Sequence, residues 1–286
     1  MSAGYNDGGM QRRRPFAIKL APILIGLVAV GWMALRGCQQ GPFGRQQIVA
    51  MNAQEEKALG LQAFEETLSD ARVIRMGMEV AEVKDVAQRL VAATQNPAFL
   101  ASTQQAAQQM DWAVEVVDSK EVNAFCLPGG KMVVYTGILP VAETEAGLAT
   151  VLGHEIAHAL AHHGAERMAK SKMAEILLNS ANSSLSEMDP AQRETILKTL
   201  NAGAKYGILK YSRDHESEAD HMGLLLMAAA GFDPQESIHF WERMQQATAG
   251  GQRPAEFAST HPSHETRISD LREWMPEAMK LYQARK

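Results

Sequence analysis

The chain of 286 residues has only two cysteines, too few for a disulfide framework or a four-thiolate zinc site. Aromatic residues make up 6%, which argues against a base-stacking platform for nucleic acid. Positive charge is also scarce where such a partner would need it. Residues 1–45 hold Arg12, Arg13, Arg14, Lys19, Arg36 and Arg45 against Asp7 alone, while the formal net charge of the whole is −5. Residues 46–286 therefore carry 22 basic and 32 acidic side chains, a net of −10. An acidic body of this kind speaks against nucleic acid as a partner. No repeat of solenoid length is visible. With 46% hydrophobic and 21% charged residues, the chain is neither disordered nor a multi-span membrane protein.

One long apolar run is present, near the amino terminus. Leu20 to Leu35 are 16 residues without a charge, and counting from Phe16 gives 20 with one lysine that can snorkel. Twenty helical residues at about 1.5 Å each match a hydrocarbon core of about 30 Å. Trp32 suits the far interface, and Arg12-Arg13-Arg14 hold the near end in the cytoplasm. The remainder should then face outward. Two alternatives stand beside this anchor: a cleaved signal peptide, and a lipoprotein attached through Cys38 in Leu35-Arg36-Gly37-Cys38. The expected organisation is a basic tail (1–14), an anchor or signal segment (15–36), a linker around Gly41-Pro42-Phe43-Gly44 (37–49), and one domain (50–286).

Within that domain, apolar stripes predict helices over 53–70 and 79–94. Alternation predicts a strand over 112–118, and Leu127-Pro128-Gly129-Gly130 predicts a hairpin joining 122–126 to 131–136. Helices are expected over 143–169, then 190–210 after the Asp189-Pro190 cap, and 213–230 up to Gly231. Two more follow, from Asp233-Pro234 and over 263–284. The fold class is α+β: mostly helical, with a small antiparallel sheet and one preceding transmembrane helix.

His154-Glu155-Ile156-Ala157-His158 carries the strongest chemical signal. On a helix, His154 and His158 are one turn apart and point the same way, so both can ligate one zinc ion. Glu155 is rotated from them by about 100° and about 60°, beside such an ion rather than on it, where a carboxylate can take a proton from water. A third ligand is needed. Glu216, in Ser212-Arg213-Asp214-His215-Glu216-Ser217-Glu218-Ala219-Asp220, is the candidate. Asp220, one turn on, can accept a hydrogen bond from the outer nitrogen of a ligating histidine. Glu218 points the other way and reads as a solvated acid. His162 and His163 read as polar-face residues, Cys126 as a small buried residue, and His215 has no assigned part.

Those blocks, with Val122-Asn123-Ala124-Phe125-Cys126-Leu127-Pro128-Gly129-Gly130, Tyr135-Thr136-Gly137 and Thr260-His261-Pro262-Ser263-His264-Glu265-Thr266-Arg267, resemble the membrane-associated gluzincin zinc endopeptidases. That group includes HtpX-like heat-shock proteases, the CAAX prenyl endoprotease and periplasmic proteases that police outer-membrane proteins. The resemblance implies a gluzincin core with Glu216 as third zinc ligand, Asp220 behind it, and an extended polypeptide substrate on the strand of Asn123, Ala124 and Phe125. It implies two places for His261, either as a fourth ligand that blocks water or as a group near the transition state. The residue pattern alone also allows a helix-start cap, and Arg267 is placed to pin that segment. The single apolar segment departs from the integral-membrane relatives and makes a prenylated substrate a poor fit. A chaperone with a closed zinc site is the rival reading.

Overall fold

The computed structural model describes residues 16–249 and 266–285, with Phe257 and His261 between them. The Arg12-Arg13-Arg14 cluster lies outside the described residues. The apolar run forms α1 (Phe16–Gly37). Its window Leu20–Gly37 has a mean hydropathy of 1.8 and is long and apolar enough to cross a membrane. Leu24, Ile25, Leu27, Val28 and Leu35 are exposed, as lipid-facing residues would be.

The expected linker is instead ordered. Cys38–Gln40 (β1) and Gln46–Ile48 (β2) pair antiparallel, and Phe43, at φ 52, and Gly44, at φ 75, form the bend between them. A glycine at the second position carries no penalty for that left-handed backbone. Val49 N–H donates to Gly37 O, so the hairpin closes directly onto the end of α1.

Next come α2 (Ala53–Ser69), β3 (Val73–Ile74), α3 (Met78–Ala93) and α4 (Pro97–Thr103). Asn52 and Glu55 cap α2 reciprocally, which satisfies two of its orphan N–H groups. α4 starts from the Asn96-Pro97 cap, in a segment whose glutamine- and alanine-rich continuation obscured it. Then β4 (Ala113–Val117), β5 (Ala124–Leu127) and β6 (Lys131–Tyr135) complete a four-stranded sheet of order β3-β4-β6-β5. The β5–β6 hairpin is antiparallel as expected, but β4 pairs parallel with β6, so the sheet is mixed. β5 is an edge strand.

After the short α5 (Leu139–Ala142) the chain is helical: α6 (Glu145–Leu160), α7 (His163–Ser184), α8 (Pro190–Ala230), α9 (Glu236–Ala249) and α10 (Arg267–Ala284). Two expectations change here. The helix expected over 143–169 breaks at Ala161-His162, where His162 takes the left-handed conformation at φ 55. The helices expected over 190–210 and 213–230 are one helix of 41 residues. Nothing between them breaks a helix, and its ends are the expected Asp189 cap and the left-handed Gly231.

α6 is the central element, and every residue from Gly147 to Leu160 is buried. Full burial of side chains such as Leu148, Leu152 and Ile156 contributes roughly 2 kcal/mol each. α6 crosses α8 at Gly153 and Gly223, where a Cβ on Gly223 would sit 2.8 Å from His154 N. Two glycines thus let the backbones touch, which brings side chains of α8 against the histidines of α6. On the far side, α7 and the first half of α8 form a hairpin along α1, and Gly26 packs directly on Ser180.

Candidate metal centre

α6 presents His154 and His158 from adjacent turns, with Nε2 atoms 3.1 Å apart. α8 brings Glu216, whose carboxylate oxygens lie 3.4 Å from His154 Nε2 and 3.5 Å from His158 Nε2. His261 adds Nδ1, 3.3 Å from His154 Nε2 and 3.2 Å from Glu216. One donor atom from each of these four residues lies within 4.8 Å of every other. Three of the four residues are buried, and the His261 side chain is 12% exposed.

The outer nitrogens fix which ring atoms are free. His154 Nδ1 lies 3.0 Å from Asp220 Oδ1, and Asp220 Oδ2 accepts from Arg267 Nε at 2.6 Å. With its proton on Nδ1, on the side of that carboxylate, a histidine would present a bare Nε2 lone pair. The centre thus gathers imidazole nitrogens and a carboxylate in one buried cluster, a donor set of the kind that binds a divalent cation. Size agrees as well. Four N or O ligands placed tetrahedrally at about 2.0–2.1 Å stand about 3.3 Å apart, and the separations among His154, His158 and Glu216 run from 3.1 to 3.5 Å. The donor set fits a metal of the zinc type.

Electrostatics give the same picture. Burial works to lower the His154 pKa, but Asp220 and Glu216 overcome it and lift it to about 10. A proton there partly answers the same demand as a metal ion. Burial opposes ionisation of Glu216, yet hydrogen bonds from His154 and His261 hold it below the usual carboxylate range. Burial pushes Glu155 above its usual value, while the charges of His261 and His154 oppose the rise. Glu155 Oε2 accepts from the Cys126 N–H of β5 at 3.3 Å, and Oε1 lies 3.5 Å from His261 Nε2. It stands beside the donor set rather than in it. Arg267, fully buried over the Trp241 ring at 3.8 Å, also reaches Glu216 at 3.2 Å.

Asn123 and Ala124 are buried and Phe125 half-buried at the sheet edge, next to α6. Tyr135 N–H donates to Asn123 O inside the hairpin, whereas the Cys126 N–H points out of it towards Glu155. Backbone groups alternate along a strand, so Ala124 and Cys126, not Asn123 and Phe125, face away from β6. Burial raises the Cys126 thiol well above its usual pKa, with Glu155 adding to the rise, which disfavours the thiolate.

Two further residues depart from expectation. Glu218 is buried, not solvated, and takes a bidentate ion pair from Arg45 of the hairpin. His163 is 1% exposed, and its Nδ1 lies 2.8 Å from His158 Nδ1. On a straight helix five residues would turn it about 140° away. The left-handed break at His162 swings it back under His158. His215 is also buried, stacked on His163 at 3.9 Å and 3.1 Å from Glu166. His162 itself pairs with Glu56 at 2.8 Å and takes no part in the centre.

Two histidines of one helix and a glutamate of a second, set beside an edge strand, define the gluzincin class of metallopeptidase core. The model of peptidase family M48 matches residues 79–275, and the chain belongs to that family. It is 43% identical over 169 residues to the mitochondrial metalloendopeptidase OMA1 of Schizosaccharomyces pombe, a match covering 59% of this chain and 48% of that one. It is 35% identical over 178 residues to the human metalloendopeptidase OMA1, covering 60% and 34%. Its identity to the beta-barrel assembly-enhancing protease of Escherichia coli is 31% over 160 residues, covering 55% and 33%. The matches span about half or less of the length of these relatives.

Proposed function

We propose that this chain is a zinc-dependent endopeptidase that cleaves unfolded or misassembled membrane and envelope proteins. Its catalytic domain lies on the outer face of the membrane and α1 is its anchor. The observation that carries the reading is the convergence of His154, His158 and Glu216 beside Glu155, inside a chain of family M48.

In this reading His154, His158 and Glu216 hold the zinc, and Asp220 and Arg267 orient His154 and Glu216. The bound ion supplies a Lewis acid that polarises a peptide carbonyl and lowers the pKa of a water to about 7. Glu155 is the general base. Its raised pKa brings it nearer neutrality, which favours taking a proton from the attacking water and returning it to the leaving amine. An extended substrate lies along the Asn123–Phe125 strand and pairs with the outward backbone groups of Ala124 and the carbonyl of Cys126, a mode that reads backbone more than side chains. Asn123 Oδ1, buried with no hydrogen-bond partner among the described residues, is available to a substrate N–H. His261 Nε2 is the candidate donor to the developing oxyanion.

A second reading draws on His261 itself. With Nδ1 among the donor atoms it closes the centre, which suits an envelope chaperone or assembly factor with a regulated site. Glu155→Gln separates the two. The variant should keep its zinc and lose cleavage of unfolded casein while failing to rescue a deletion strain. Cleavage at the wild-type rate removes Glu155 from its role, and full rescue by the inactive variant favours the chaperone.

A further inference from the structure

The two histidines of α6 are held from behind in parallel ways. His154 leans on Asp220, and Asp220 on Arg267. His158 leans on His163 at 2.8 Å between Nδ1 atoms. His163 Nε2 lies 2.7 Å from Glu218 Oε2, and Glu218 is gripped by Arg45 through Nε at 3.0 Å and a terminal nitrogen at 2.8 Å. Arg45 also reaches Glu166 at 3.0 Å, and Glu166 accepts from His215. Every side chain of this cluster except Arg45 is buried.

The direction of each hydrogen bond follows from the one before. A His158 that offers Nε2 to a metal carries its proton on Nδ1. Two imidazole nitrogens 2.8 Å apart share one proton, so His163 Nδ1 accepts. The His163 proton then sits on Nε2 and is donated to the Glu218 carboxylate. That carboxylate stays in place because a planar guanidinium takes both its oxygens. We propose that Arg45 is a positioning residue for the metal centre: through Glu218 and His163 it fixes the tautomer and ring orientation of His158. The inference rests on the reading of His158 as a metal ligand.

Arg45 belongs to the hairpin that follows α1 without a break. Gly41 N–H donates to Arg45 O, Arg45 N–H donates to Pro42 O, and Phe43 stacks on His221 at 4.4 Å. The end of the apolar helix and the metal site are thereby joined by one line of polar contacts.

The test uses the full chain in detergent. Zinc affinity is measured by competition with a chelator, and the cobalt-substituted protein gives a visible spectrum that reports ligand geometry. Arg45→Gln and His163→Leu should each weaken zinc binding by roughly 10–100-fold and alter the cobalt spectrum. His163→Gln should retain most of the affinity, because an amide accepts from His158 and donates to Glu218 as the imidazole does. Phe43→Ala loosens the same hairpin without touching the relay, so it should lower Tm and leave affinity and spectrum unchanged. Wild-type affinity and spectrum in both Arg45→Gln and His163→Leu would overturn the proposal. So would equal losses in Phe43→Ala and Arg45→Gln, which would mean that Arg45 only staples the hairpin. A wild-type protein that binds neither zinc nor cobalt would overturn the ligand reading beneath it, an outcome distinct from both.

Discussion

Glu218 and Asp220 stand two residues apart on α8, and each is closed off by an arginine from a distant segment. Side chains two apart on a helix point nearly opposite ways, so one faces the metal centre from the His154 side and the other approaches it from behind His163. Glu166 belongs to the second group. Burial disfavours its charge, but the hydrogen bond from His215 and the charge of Arg45 outweigh that and hold it below the ordinary glutamate value of 4.5. A carboxylate depressed on folding contributes stability above its unfolded pKa and loses it as pH falls through the folded value. Wild-type Tm should therefore drop as the solution is taken below pH 4.5, and Glu166→Gln should show a shallower drop on that acid limb. Thermal melts across the acid range check this. Parallel acid limbs in the two proteins would remove Glu166 from the pH response.

Helix α8 contains glycines of two kinds. Gly223 meets α6 where a Cβ would lie 2.8 Å from His154 N and 3.0 Å from Gly153 C, both backbone atoms that cannot swing aside. Gly203 has nothing within 4 Å of its Cβ position. The same substitution should then act with opposite sign. Gly203→Ala gains helix propensity and should stabilise by about 0.5–1 kcal/mol. Gly223→Ala should destabilise by about 1–3 kcal/mol through overpacking, and it should weaken zinc binding by moving Glu216 and Asp220 away from α6. Denaturant melts and chelator competition measure both. Unchanged zinc affinity in Gly223→Ala would show that the crossing does not set the ligand spacing.

Across the whole molecule, what the sequence revealed was local. That His154 and His158 share a helix face, and Glu216 and Asp220 another, follows from a four-residue spacing. The Asp189-Pro190 start and Gly231 stop of α8 follow from capping chemistry. The break at Ala161-His162 was hidden, since neither glycine nor proline marks it, and with it the burial of His163. Glu218 was misread because helix periodicity says which way a side chain points, not what packs there. The β1–β2 hairpin that covers it comes from more than 160 residues earlier, where a Gly-Pro cluster suggested only a linker. The parallel pairing of β4 with β6 likewise depends on a crossover that alternation does not encode. At this scale metal and fold are coupled, because an ion that binds the native arrangement of α6 and α8 stabilises it. Chelation should lower the Tm of the wild type and leave that of Glu216→Gln almost unmoved, as melts with and without chelator would show. The most direct measurement is zinc content per chain, by elemental analysis, for the folded wild type, Glu155→Gln and Glu216→Gln. One zinc in the first two and a large loss in the third is the expected result. A folded wild type without metal, or a Glu216→Gln protein that holds zinc as well as the wild type, would contradict the centre described here.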